Sequence, residues 1–380
     1  MKSTVFLDYN STTPVDPRVL EAMIPWFSER PGNAASAHFA GRQASFAVDR
    51  ARSSVAQMLR VRESEIIWTS GATESNNTIL RGFDHPDASR RRILVGATEH
   101  KAVLDAADYL ATTGWAIDLV PVDSNGEVDL ERYRKLLADD VALVSLMYAN
   151  NETGVVHGIE ELAAEAHGVG ALFHSDCAQA PGRIALDLAE LGVDFASFSA
   201  HKLYGPKGVG CMYVSRNVEL KPLLHGGGHE RGMRSGTTNV PGVVGFGFAA
   251  ELVSEQVEKE AAALGALRDD LTERLRNRIE DVQVVGEHRT RLPNTLCIRF
   301  IGADAEAVMA NAPDLAISSG SACSALVPAA SHVLRAMGIS ERDAFEYLRF
   351  SVGRMTTDEE VSQTVESTID AVKRVRELAA

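Results

Sequence analysis

A chain of 380 residues is longer than one hydrophobic core comfortably serves, so two domains are expected, and 45% hydrophobic with 24% charged residues excludes a disordered or fibrous protein. A net charge of -14 argues against broad binding to nucleic acid or to an acidic membrane, because the summed field repels phosphate. The four cysteines, Cys177, Cys211, Cys297 and Cys323, stand far apart in no CxxC or CxxxH spacing; no metal site or redox pair is written locally, and a reduced cytoplasmic protein is the simplest fit.

In chain order, the amino terminus "MKSTVFLDYN" has no long apolar run behind its lysine, and nowhere do eighteen apolar residues stand together, so neither secretion nor a membrane span is expected. From about Glu63 to Val214 short apolar runs alternate with helical patterns: "EIIWTS", "RILVGAT", "AIDLVPV", "VALVSLMYAN", "ALFHSD", "FASFSA" and "VGCMYVS". Strands alternating with helices imply a largely parallel sheet covered on both faces, with ligands at the carboxyl ends of the strands. The basic run "SRRRILV" reads as a solvated turn before a strand. After the glycine-rich "HGGGHERGMRSGTTN", apolar residues spaced by three and four predict one long helix from about Val243 to Glu280. The remainder predicts a small α+β unit with "NTLCIRF" as a strand, "DAEAVMANA" and "SHVLRAMG" as helices, and a last helix from Thr357.

Five stretches carry chemistry. In "FSAHKLYGPKGVG", Lys202 stands between a strand end and a glycine-rich turn, where an amine can project into a cleft and form a Schiff base; a surface lysine is the rival reading. Asp176 in "LFHSDCAQ" ends an apolar strand, an expensive place for a carboxylate without a cationic partner, which a pyridinium nitrogen would supply; capping the next helix is the alternative. "WTSGATESNN" is a strand, a Gly-Ala turn and a helix start, which aims backbone N–H groups at a phosphate, with the Thr73 hydroxyl beside them. "GATEHKAV" puts His100 past another strand end, where an imidazole stacks on a flat ring and moves protons, or caps a helix. "SSGSACSA", Ser318 to Ala325, sets Cys323 alone among small residues: a loop that bends easily and carries a thiol, or a small apolar residue at a turn.

Together "TSGATESNN", "TEHKAV", "NNETG", "SAHKLYGPKGVG", "RSGTTN", "SSGSAC" and "LRFSVGR" resemble the cysteine desulfurases, fold type I pyridoxal-phosphate enzymes related to class V aminotransferases. The resemblance runs from "LDYNSTTP" to "GRMTTDEE". It implies an α/β fold in which residues 16–255 form a large domain holding a mostly parallel seven-stranded sheet between helices. Residues 1–15 and 256–380 would form a smaller domain carrying the nucleophile loop. It further implies that Lys202 holds pyridoxal 5'-phosphate as an internal aldimine, Asp176 pairs with the ring nitrogen, Gln179 bonds the ring oxygen and His100 stacks on the ring. Ala72, Thr73, Ser199 and His201 would hold the phosphate, with Thr237 reaching in from the partner subunit of a homodimer. Asn151 and Arg349 would bind the carboxylate of L-cysteine, helped by Asn33. Cys323 would take the substrate sulfur as a persulfide, leaving L-alanine, and pass it to a protein acceptor.

Departures from the family's usual wording bear on that acceptor: "GNAASAH" at 32–38, Cys177 beside Asp176, His229 at a usual glutamine, and Pro328-Ala329-Ala330 after the nucleophile. The end "VKRVRELAA" stops short of the tail expected of housekeeping members. They favour a DNA-phosphorothioation branch, with iron–sulfur assembly or tRNA thiolation as the alternative; neither requires the chain itself to bind DNA. The rival classes are a pyridoxal-phosphate lyase or aminotransferase that does not use Cys323, and a non-catalytic docking scaffold.

Overall fold

The computed structural model describes residues 4–87, 89–319 and 329–379. Cys323 therefore lies outside the described residues. All seven apolar runs form one sheet. Its elements, in chain order, are α1 (Phe39–Leu59), β1 (Ile66–Thr69), α2 (Ala72–Gly82), β2 (Arg92–Gly96), α3 (Lys101–Ala111), β3 (Ala116–Val120), β4 (Val141–Ser145), β5 (Leu172–Asp176), β6 (Phe195–Ser199), β7 (Gly210–Val214) and α4 (Val240–Ser254). The spatial order is β1-β7-β6-β5-β4-β2-β3, parallel except for β7, which runs antiparallel to both its neighbours.

Neighbouring residues of each strand enter opposite cores. Ile66, Leu94, Val144 and Ala196 join a cluster with α1 and α4, whereas Ile67, Ile93, Leu143 and Phe195 join one with α2 and α3. This period of two, with both faces apolar, is what a sheet between helix layers requires. Fully burying each such side chain is worth about 1.5–3 kcal/mol. A polar intrusion, His174 in β5, is bonded on both ring nitrogens, to Ser145 Oγ at 2.8 Å and Ser197 Oγ at 3.2 Å. Glycine lets α4 lie against α1: a Cβ on Gly247 would stand 2.4 Å from the Cα of Ala51.

The long helix expected from Val243 to Glu280 is two helices, α4 and α5 (Val257–Arg278), broken at Gln256, whose φ of -134° leaves the helical region. The apolar period runs through the break, but the two halves serve different cores. Val243, Phe246 and Val253 pack with the large sheet, and Leu264, Leu271 and Leu275 with a second sheet. That sheet contains β8 (Val282–Val284), β9 (Thr295–Phe300), β10 (Ser318–Ser319) and β11 (Tyr347–Ser351) in the antiparallel order β8-β9-β11-β10. The expected helices are present at Ala305–Asn311, α6 (His332–Ala336) and α7 (Asp358–Ala379). In β11, Leu348 and Phe350 face the core, so Arg349 faces the other way, toward the cleft. The amino-terminal strand Val5–Phe6 pairs beside this unit, and the chain beyond it crosses into the large sheet's edge at Asn10 and Ser11. No helix among the described residues is long and apolar enough to cross a membrane.

Candidate active site

The carboxyl ends of β1, β2, β4, β5 and β6 surround a cavity of about 660 Å³, closed on the far side by Asp8, Ser318, Ser319 and Arg349. Ala72, Thr73, His100, Asn151, Asp176, Gln179, Ser199, His201, Lys202 and Arg349 all line it, although the sequence scatters them over nearly 280 positions. Two expected residues do not. Thr237 is exposed and lies outside this chain's cavity lining, and Asn33 is exposed, its Oδ1 accepting from the Ala35 amide at 2.9 Å.

Lys202 sits in the turn between β6 and its antiparallel neighbour β7, where the backbone must reverse at the sheet's carboxyl edge. Its ammonium group donates to the carbonyls of Asn10 at 2.6 Å and Ser11 at 2.8 Å. Burial, with Arg183 and Arg349 adding repulsion, pushes its pKa down to about 7, so a large share of the amine is uncharged at neutral pH. That is the form able to attack an aldehyde.

Asp176 ends β5 with 6% exposure. Its Oδ2 accepts from Asn76 Nδ2 at 2.7 Å and its Oδ1 from the Ala178 amide at 2.9 Å, both neutral donors. Asp176 caps no helix, the next one starting at Leu188 behind Asp187, and no cation among the described residues forms an ion pair with this carboxylate. A buried carboxylate without a countercharge is what a protonated ring nitrogen would complete. Behind it Glu99 is fully buried, and burial together with the Asp176 charge raises its pKa well above the usual range. Sequence reasoning missed both Asn76 and Glu99, although they lie inside the quoted motifs.

His100 caps a helix and also lines the cavity. Its Nδ1 caps α3 by accepting from the Ala102 amide at 3.0 Å, while the ring lines the cavity. Burial lowers its pKa, and in a neutral ring with Nδ1 as acceptor the proton sits on Nε2. At the opposite wall, α2 begins at Gly71 with no side-chain cap, leaving its first amides toward the Thr73 hydroxyl and Ser199. The backbone comes this close because Gly210 has no Cβ; one would stand 2.5 Å from the Cα of Gly71. Such a helix start is an anion cradle. His201, bonded to Thr12 Oγ1 at 3.2 Å, is pushed down to about 4 by burial and is neutral.

Arg349 donates from Nη1 to the Asn151 carbonyl at 2.9 Å and from Nη2 to Asp8 Oδ1 at 2.6 Å, while its Nε is buried without a partner. Asp8, which the sequence did not single out, is held in turn by Ser11 Oγ at 2.5 Å. Cys177 is fully buried and absent from the cavity lining, and burial raises its thiol pKa far above the usual value.

An unpaired carboxylate, a depressed lysine and an uncapped helix start lining one cavity define a pyridoxal-phosphate enzyme of fold type I. The class-V aminotransferase family model matches residues 5–364. Cysteine desulfurase IscS of Anaeromyxobacter sp. (strain Fw109-5) is 47% identical over 383 residues, covering 100% of this chain and 95% of the relative. Among solved structures, a NifS-like protein superposes with a TM-score of 0.91 at 38% identity, covering 98% of this chain and 100% of that one. SspA in complex with cysteine gives 0.79 at 32% identity, covering 92% and 99%. The chain belongs to the cysteine desulfurases of the class-V aminotransferase family, and its activity is that of a pyridoxal-phosphate-dependent cysteine desulfurase.

Proposed function

We propose that this chain removes sulfur from L-cysteine through the residues gathered in the cavity, with Lys202 as the point of cofactor attachment. The observation that carries the assignment is the pairing of a depressed, buried Lys202 amine with the cation-free carboxylate of Asp176. Pyridoxal 5'-phosphate, when bound, supplies an aldehyde and an electron-accepting ring. Asp176 would hold the ring nitrogen protonated, Gln179 would bond the ring oxygen, and His100 would lie against the ring. The amides at the start of α2, with Thr73, Ser199 and His201, hold the phosphate. Arg349 and Asn151 take the substrate carboxylate, which fixes the Cα above Lys202. With the cofactor bound, Lys202 Nζ would be the base placed to take the substrate's α-proton. The Cys323 thiolate attacks the substrate sulfur, forming an S–S bond as the substrate C–S bond breaks, and the carbon fragment leaves as alanine after protonation. With its proton on Nε2, neutral His100 is better suited to donate there than to deprotonate Cys323.

Residues 16–255 serve as the cofactor-holding unit in this reading, and residues 1–15 with 256–380 as the smaller one; the separate apolar clusters around the two sheets support that division. Thr237, exposed and outside its own chain's cavity lining, supports a homodimer in which it completes the partner's phosphate site. Mixed dimers of Lys202→Ala and Thr237→Ala chains should regain one working site, and no recovery in dimers shown to have formed would contradict the sharing. The acceptor expected from the sequence, a DNA-phosphorothioation protein ahead of an iron–sulfur scaffold, rests on motif departures; following labelled sulfur from persulfidated enzyme into each candidate decides between them. Borohydride reduction of the yellow holoenzyme followed by peptide mapping tests the attachment: the cofactor should be found on Lys202, and its recovery on another lysine would overturn the site.

A further inference from the structure

Just beyond Asp176 the chain curls through a tight turn that brings Arg183 back against Gln179. Arg183 is 5% exposed. Its Nη1 donates to the backbone carbonyl of Gln179 at 3.0 Å and also to Gln179 Oε1, and its Nη2 donates to the Tyr9 carbonyl at 3.1 Å. All three acceptors are neutral, and no carboxylate among the described residues forms an ion pair with it. Glu260, whose charge reaches Arg183, is taken by Arg354 at 2.7 Å. A guanidinium buried without a countercharge costs several kcal/mol, so something at this position compensates for it or uses it.

Two features point to use. First, with Oε1 claimed by Arg183, the Gln179 amide has one orientation, and its Nε2 donates to the Asn10 carbonyl at 3.0 Å. Lys202 Nζ donates to that same carbonyl at 2.6 Å. Arg183, Gln179, the Asn10 carbonyl and Lys202 therefore form one continuous chain of hydrogen bonds. Second, the charges that face Lys202 are Asp176 at the end of β5, Asp8 on the amino-terminal segment, Arg349 on β11, and Arg183, with His100 and His201 beside them. Asp8 and Arg349 pair with each other at 2.6 Å and largely cancel. The two histidines are held neutral by burial. Of the two that remain, Asp176 favours the charged amine and Arg183 the uncharged one, and Arg183 has the larger effect.

We propose that Arg183 is a positioning residue for the cofactor site: it fixes the side-chain amide of Gln179 and, as the unpaired cation behind it, favours the uncharged amine at Lys202. The inference rests on the reading of Lys202 as the attachment point. Burial is the larger cause of the depressed lysine and Arg183 is the next, so removing the guanidinium should restore only part of the ordinary value.

The test uses apoprotein labelled with trinitrobenzenesulfonate across a pH series, with the Lys202 peptide quantified after digestion. In the wild type the labelling midpoint should lie near 7. In Arg183→Met and Arg183→Gln it should rise by about one pH unit, a roughly tenfold loss of free amine at neutral pH. Arg183→Lys, which keeps the charge, should stay close to the wild type. Gln keeps a donor for the Tyr9 carbonyl and serves as the neutral variant if the Met variant does not fold. In the holoenzyme, the visible absorbance band should move in the neutral variants and return in Arg183→Lys. A wild-type midpoint near the ordinary lysine value of 10.5, or a neutral variant folded by near-ultraviolet circular dichroism with an unmoved midpoint, would overturn the proposal. Because the label reports on Lys202 without cofactor, its result is separate from the borohydride mapping: attachment at another lysine would sink the site assignment and leave the Arg183 measurement readable.

Discussion

Replacing Arg349 by alanine should damage substrate capture more than turnover, and the geometry sets the scale. The guanidinium is 7% exposed and is already aimed by the Asn151 carbonyl and Asp8. Its loss removes up to two charge-assisted hydrogen bonds to a substrate carboxylate, each worth about 1.5–3 kcal/mol. It also leaves Asp8 facing that carboxylate as a like charge; at roughly 6 Å and an effective dielectric near 20 the repulsion approaches about 3 kcal/mol, and the partial exposure of Asp8 reduces it. A combined loss of about 4 kcal/mol predicts a roughly thousandfold fall in kcat/KM, carried mainly by KM because the clamp lies away from the breaking C–S bond. Adding Asp8→Asn to Arg349→Ala should recover about tenfold by removing the repulsion, a coupling that a double-mutant cycle isolates. Alanine formation measured against L-cysteine concentration, with visible absorbance confirming retained cofactor, provides the assay. Unchanged saturation in Arg349→Ala would refute the reasoning, as would a further loss rather than a recovery in the double variant.

Asp16 gives a prediction on stability. It accepts from Arg18 and from Arg354, and the Arg18 side chain chiefly holds its carboxyl down at about 2, against an ordinary 3.8. A depressed carboxylate contributes stability above its unfolded value that is lost as pH falls through its folded one, so the wild type should lose about 1–2 kcal/mol between pH 4 and pH 2 from this group, once the exposure of Arg18 is discounted. Urea unfolding of Asp16→Asn should show that part of the slope removed; an identical pH dependence would contradict it. Cys177, Cys211 and Cys297 are buried, and burial raises all three thiols, Cys297 to about 12. Iodoacetamide at pH 8 should therefore modify these three only after denaturation, as read by mass spectrometry, and modification of Cys177 in the native protein would contradict its inert assignment.

The large sheet was legible because its strands are short apolar runs with polar residues at their carboxyl ends, so the same punctuation that bounds each strand also marks the site. Lys202, Asp176 and His100 could be found that way. The break at Gln256 could not, since the apolar period continues across it and only the existence of two cores makes the chain turn. Asp8, Asn76 and Arg183 escaped for a related reason. Asp8 meets Arg349 across 341 positions and Asn76 meets Asp176 across 100, and no local pattern records such pairs. Arg183 stands only four residues from Gln179, but its weight comes from burial without a countercharge, which composition cannot reveal. Thr237 and Asn33 show the converse: motif position singled them out, and the single chain leaves both exposed.

The central claim is that sulfur leaves L-cysteine and comes to rest on Cys323. Holoenzyme given L-cysteine without an acceptor, then alkylated and digested, should carry one extra sulfur atom on the peptide containing Cys323, with alanine released. Cys323→Ser should still bind the cofactor and L-cysteine, judged by visible absorbance, but should form no persulfide and almost no alanine. The extra sulfur on Cys177, or alanine released by Cys323→Ser at the wild-type rate, would contradict the account.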